Sequence, residues 1–202
     1  MKLYYTPGAS SLVPHIVLCE LGLPYELEKV DLKRHTLEGG GDYYNVNPKG
    51  YVPTLQLNDG QRLSEGGAIA LFLAEKLPEV GLLPSNGSLE RFRVLEWLFF
   101  VSSELHKEVG QLFNPKLTPE WKAAVLATIE RRLAYVDKAL TGQDYLTGSR
   151  FSVADAYLFT VLGWMAPLDI DLEPWPALCA FHKRVAARPA VQKAMRAEGL
   201  TG

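Results

Sequence analysis

Near Pro78 the patterning of the chain changes character, and that change constrains the fold more than any other feature. Before it, short apolar runs suited to strands alternate with helical patterns; after it, only helical patterns recur. The stretch from Pro78 to Ser88 carries two prolines and two glycines and reads as a connection between separately folded parts. A chain of 202 residues is long enough to bury a core in each of two small domains. The expected division is residues 1–80, a linker over 81–87, and residues 88–202.

In the first part, Leu3 to Tyr5 is a short apolar strand stopped by Pro7-Gly8. A helix begins at Ser10 or Ser11, where Pro14 fits only in the first turn, and Gly22 with Pro24 ends it. Tyr25 to Val30 reads as a second strand. The glycines from Gly39 to Gly41 and a weak helical turn lead to Asn47-Pro48-Lys49-Gly50. Thr54–Leu57 and Arg62-Leu63 flank Asn58-Asp59-Gly60, a hairpin signal, and Ser64 is placed to cap the helix that follows. The order β-α-β-α-β-β-α is that of a thioredoxin-like α/β sheet, parallel in its first half and antiparallel in its second.

The second part reads as an all-helical bundle. Helices are expected from Ser88 to Val109, from Thr118 (with Pro119 in the first position) to Leu140, and from Ser152, where Asp155 completes a capping box. Pro176 and Pro189 open two shorter ones. A net charge of −2 gives no footprint for nucleic acid or an anionic membrane, and no apolar run is long enough to span one. The opening residues lack the features of a signal peptide, so the expectation is a soluble, cytoplasmic protein. Cys19 and Cys179 lie far apart in apolar helical patterns and form neither a disulfide framework nor a zinc spacing; no metal is expected.

A thioredoxin-like fold sets its working residue in the loop between the first strand and first helix, where free N–H groups and the helix dipole converge. Here that loop is Pro7-Gly8-Ala9-Ser10-Ser11. Serine cannot exchange disulfides, but a hydroxyl can hold a bound thiolate. Moving a thiol from a pKa of ~8.5 to ~6.5 needs about 2.7 kcal/mol. A hydrogen bond to a charged group supplies roughly 1.5–3 kcal/mol and a helix N-terminus ~0.3–2 kcal/mol. Simple capping of the helix by the same serines is the competing reading. Val52-Pro53, ahead of a strand, is a candidate cis peptide that turns the Val52 backbone groups toward an extended ligand. Ser64-Glu65-Gly66 opens another helix, where the N-terminus suits a carboxylate and Glu65 an ammonium group. Together these suit a small zwitterionic peptide that carries a thiol.

The successive segments YYTPGASSLVPHIVL, NPKGYVPTLQLNDG, LSEGGAIALFLAEKLP, ELHK and GSRFSVADAYLFTVL resemble, in order and over nearly the whole chain, those of glutathione S-transferases, the bacterial beta class in particular. The resemblance implies a homodimer that uses glutathione as co-substrate and conjugates its thiol to small hydrophobic electrophiles. By position, it implies that Val52 pairs with the cysteinyl backbone of glutathione and that Glu65 and Gly66 hold its γ-glutamyl end. It assigns Ser103, Glu104 and His106, on the first long helix, to the border of the site, with Ser10 and His106 as the catalytic residues. Three positions depart from the beta-class pattern: Ser10 replaces a characteristic cysteine, His35 a frequent lysine contact to glutathione, and Phe99 a usual asparagine.

Tyr5 is the alternative catalytic hydroxyl. His15 reads as a satisfied core histidine and His182, beside Lys183 and Arg184, as part of a solvated face. Trp97, Phe99 and Phe100 exceed what one amphipathic stripe needs, which suits either core or a subunit interface. Two other functions remain open from the sequence: a non-catalytic binding module on the same fold, and a narrower glutathione-dependent isomerase, dehalogenase or lyase.

Overall fold

Strand β1 (Lys2–Tyr5) lies at the centre of a five-stranded sheet in the computed structural model of the chain, in which residues 1–200 are described. It is flanked by β2 (Glu26–Asp31), parallel to it, and by β4 (Thr54–Gln56), antiparallel; β3 (Thr36–Leu37) and β5 (Arg62–Ser64) form the edges. The register sets Leu3 between Leu27 and Leu55, and both Leu3 and Leu55 are wholly buried. Tyr4 points to the other face, where it packs with Val30, Tyr43 and Val52. Helices α1 (Leu12–Leu21) and α2 (Gly66–Ala74) pack on each other, joined through Val13, Ile16, Val17, Ile69 and Leu73 as buried residues. Gly22 ends α1 in a left-handed conformation, as the sequence predicts.

Three features of this part differ from the sequence expectation. The weak helical turn expected ahead of Asn47 is a 3-10 turn, Tyr43–Asn45, and a short strand that was not expected, β3, precedes it. Gly40 and Gly41, at positive φ, fold the chain back so that the Leu37 amide reaches the Gly41 carbonyl, and Asp42 caps the turn through the Tyr44 amide. Ser64 does not cap α2; it is paired with Thr54 in β5, and the capping position falls to Glu65, whose side chain makes no capping bond. Finally, α8 (Pro189–Ala197) packs along α1. Residues 188–200 therefore group with 1–80, not with the helical domain expected over 88–202. The apolar face of α8 and the Arg188 fork onto Glu20, at 2.6 and 2.9 Å, account for this.

Residues 81–187 form the other unit. Its first long helix is two, α3 (Leu89–Phe100) and α4 (His106–Gln111), joined by a π-helical turn at Val101–Leu105. The buried stripe nevertheless continues through Val94, Leu98, Val101, Leu105 and Val109. Thr118 caps α5 (Pro119–Leu140), whose buried residues Val125, Ile129, Leu133, Val136 and Leu140 keep helical spacing. All ten residues of α6 (Val153–Leu162) are buried. Asp137 of α5 caps α7 (Pro176–Ala186) through the Ala177 and Leu178 amides. His182 is not on a solvated face: its ring stacks on Phe159 at 4.9 Å, and burial lowers its pKa. Among the described residues no helix is long and apolar enough to cross a membrane.

Candidate functional site

Ser10 stands in the turn that enters α1, and its neighbour Ser11 explains why the two hydroxyls differ. Ser11 is fully buried and its Oγ both accepts the Thr6 N–H and donates to the Thr6 carbonyl, closing the loop on itself. Ser10 is partly exposed, and its hydroxyl donates to the Val52 carbonyl at 3.0 Å. The Ser10 and Val52 amides have no acceptor among the described residues. Val52-Pro53 is cis, as the sequence suggested.

Gly66 brings the third motif to the same place. A Cβ at Gly66 would lie 3.6 Å from the Ser10 carbonyl oxygen and 3.7 Å from Pro53 Cγ. Glu65, just before it, has φ 73°, a conformation that costs a non-glycine residue on the order of 1–3 kcal/mol. That backbone turns its carboxylate out, 73% exposed, where it pairs with the Lys49 ammonium. Ser10, Val52, Glu65 and Gly66 thus converge within the first unit. Lys49 joins them unanticipated; it is visible in the sequence only as a cation in the loop before Val52.

His35 is also in a left-handed conformation, and its carbonyl accepts the Tyr43 amide. Its ring packs on Tyr44 at 4.5 Å and lies over Gly50, where a Cβ would come within 3.0 Å of it. His35 Nδ1 is buried and has no hydrogen-bond partner among the described residues. At Tyr5, the alternative hydroxyl, burial, then Glu198 and Glu38, raise the pKa and make it a poorer donor to an anion than a free phenol. Cys19 is buried and Cys179 half-buried, and neither lies at the loop.

In the second unit, Ser103, Glu104 and His106 sit at the π turn. Ser103 Oγ donates to the Phe99 carbonyl, Glu104 pairs with Arg132 at 2.7 Å, and His106 Nδ1 lies 2.7 Å from the Tyr157 hydroxyl. The His106 ring meets Trp164 edge-on at 4.8 Å, and Phe113 meets the same Trp164 at 6.1 Å. A π turn in an otherwise regular helix often marks a functional position, because it rotates the residues after it. Phe99 is 63% exposed and contributes nothing to the core, whereas Trp97 and Phe100 cluster with Tyr135.

A thioredoxin-like sheet with a loop serine, a cis proline and an acidic helix start, followed by a helical domain, defines the class, and the chain belongs to the glutathione S-transferase family. Residues 10–76 match the glutathione S-transferase N-terminal domain and residues 97–189 its C-terminal domain. Among individual relatives, glutathione S-transferase GstA of Escherichia coli O157:H7 is 47% identical over 99% of this chain and 100% of its own. The ternary complex of BphK, a bacterial GST, superposes with a TM-score of 0.97 at 55% identity, covering 99% of this chain and all of that one. A sphingomonad glutathione S-transferase complexed with glutathione gives 0.95 at 47% identity over the full length of both chains.

Proposed function

We propose that this protein conjugates glutathione to small hydrophobic electrophiles, with Ser10 as the hydroxyl that holds the glutathione sulfur as a thiolate. The convergence of Ser10, Val52, Pro53 and Gly66 at the N-terminus of α1 is the observation that carries this reading. Glutathione-bound relatives of the same length support glutathione as the co-substrate.

The Ser10 hydroxyl and the Glu65 carboxylate each have a partner within the protein, and ligand binding exchanges those partners. The cysteinyl N–H of glutathione takes the Val52 carbonyl, and the Ser10 proton turns from that carbonyl to the sulfur. The free Val52 amide donates to the cysteinyl carbonyl. The γ-glutamyl ammonium replaces Lys49 on Glu65, while its carboxylate lies at the α2 N-terminus beside Gly66. The orphaned His35 Nδ1 suits a polar contact supplied by the peptide. The thiol proton leaves to solvent, the thiolate attacks the electrophilic carbon, an S–C bond forms, and the leaving group departs with its electron pair. The family resemblance assigns Ser103, Glu104 and His106 to glutathione binding as well, with His106 catalytic. With serine at position 10, the loop forms no mixed disulfide with glutathione.

The exchange revises the energetics. Ser10 gives up a neutral hydrogen bond of about 0.5–1.5 kcal/mol to make a charge-assisted one of about 1.5–3 kcal/mol. The net gain is about 1 kcal/mol, so the α1 N-terminus must supply the rest of the thiolate's stabilisation. The protein acts as a homodimer in this reading. Retention on immobilised glutathione, with conjugation of a generic aromatic electrophile that is reduced about threefold to tenfold in Ser10→Ala, is the expected result. A protein that neither binds glutathione nor conjugates would return the fold to the role of a binding module.

A further inference from the structure

A largely buried polar network of the first unit lies behind the Ser10 loop. His15 of α1 is wholly buried; its Nδ1 is 2.7 Å from Glu198 Oε1 and its Nε2 3.0 Å from the Tyr25 hydroxyl, which also lies 3.1 Å from Cys19 Sγ. Glu198 follows α8 and is itself only 5% exposed. Its second oxygen, Oε2, accepts the Gly8 N–H at 2.9 Å. Gly8 has φ 71°, and a Cβ there would meet the Leu200 side chain at 3.4 Å. At the opposite end of α8, Arg188 grips Glu20 near the end of α1. The two helices are therefore antiparallel, pinned by a charged contact at each end.

From this arrangement we infer that Glu198 is a positioning residue: held in place by His15, it fixes the Gly8 amide and so the loop that presents Ser10 at the N-terminus of α1. A buried ion pair alone would serve stability, and both carboxylate oxygens could then face His15. Here the carboxylate is divided, one oxygen on the histidine and one on the backbone of the loop two residues before Ser10. The second bond reaches the loop itself and not α1, whereas the Arg188 contact joins the two helices directly. The bond to Gly8 restricts the one glycine of the loop, whose missing side chain otherwise leaves its backbone free to turn. His15 also has a second task. A lone carboxylate beneath the loop would oppose a thiolate above it, and a protonated His15 offsets that charge.

The inference rests on the assignment of Ser10, and the test separates the two. Glu198→Asp keeps a carboxylate for the buried His15 but withdraws it by one methylene from Gly8. Glu198→Gln keeps the length and a carbonyl for the Gly8 amide. Both are compared with wild type and Ser10→Ala by titrating the thiolate absorbance of bound glutathione, with calorimetric affinity and denaturant unfolding on the same samples. Glu198→Asp should raise the thiol pKa by about one unit and lower kcat about threefold to eightfold near neutral pH. Its glutathione affinity should stay within about twofold, a shift of only ~0.4 kcal/mol. Glu198→Gln should recover most of the lost activity even where it is the less stable variant. A folded Glu198→Asp with the wild-type thiol pKa, while Ser10→Ala raises it, would reduce Glu198 to a structural role. A wild-type thiol pKa that is not lowered at all overturns the Ser10 assignment, and the role of Glu198 with it. If neither Glu198 variant folds, Leu200→Ala, which loosens the same segment over Gly8, is expected to give the smaller pKa rise in the same direction; no rise would overturn the proposal.

Discussion

Ser10 and Glu65 of the proposed glutathione site already have partners, and those partners set what substitution should do. Lys49 holds Glu65, so it competes with the ammonium group of the ligand. An exposed pair of this kind is worth at most about 1 kcal/mol, so Lys49→Met should tighten glutathione by no more than about fivefold. Glu65→Ala should weaken it by about 1.5–3 kcal/mol, because a charge-assisted bond to the ligand is lost. Calorimetry on the two variants checks both signs; equal affinities throughout would remove Glu65 from the site. His15 gives a pH test. Burial lowers its pKa, but contact with Cys19 and Glu198 outweighs that and raises it from 6.5 to about 8. A raised histidine pKa stabilises the fold fully below about 6.5, and that contribution fades as the pH climbs through about 8. Stability should therefore fall by about 2 kcal/mol between those limits, and in His15→Asn that slope should disappear.

Among the elements, α6 depends most on a single side chain. Asp155 accepts the Ser152 amide and hydroxyl at 2.8 and 2.7 Å and the Leu146 amide at 2.9 Å, all buried. Burial pushes its carboxyl up to about 6 against the pull of those donors. Asp155→Ala strands three donors at the start of a helix with every residue buried, and should cost about 2–4 kcal/mol of stability by denaturant titration. The capping box and the Thr118-Pro119 start were legible because caps are local: the signal and its consequence lie within four residues. The hairpin, the cis Val52-Pro53 bond and the first helix were legible for the same reason. The π turn was not, since Val101–Leu105 carries no glycine or proline to mark it. Nor was the Glu198–His15 contact, which joins residues 183 apart in sequence. Lys49 was hidden differently: a lone cation in a loop is ordinary until Glu65 is seen beside it. Ser64 misled because it has the right residue type for a cap, one position too early, and pairing with Thr54 had the stronger claim on it.

At the scale of the whole molecule, the exposed apolar row along α3 bears on assembly. Leu89, Phe92 and Phe99 recur on one side of the helix and remain exposed, and Tyr135 of α5 is exposed as well. Such a row supports the proposed homodimer. Burying one Phe contributes roughly 1.5–3 kcal/mol, and a two-fold axis counts it twice. Phe99→Asn should therefore loosen the dimer clearly in sedimentation velocity, and a variant dimer as tight as the parent would place the interface elsewhere. The two-part organisation was readable from the break near Pro78, but the return of residues 188–200 to the first unit was not, because helical periodicity does not say which surface a helix covers. Glutathione activation by Ser10 joins every part of this reading, and the pKa of the bound thiol measures it directly. Titrating the thiolate absorbance of glutathione bound to wild type, Ser10→Ala and Tyr5→Phe should give a wild-type value one to two units below the free-thiol value of ~8.5. Ser10→Ala should raise it by about one unit and Tyr5→Phe leave it in place. The same pKa in wild type and Ser10→Ala, or a rise in Tyr5→Phe alone, would contradict the assignment.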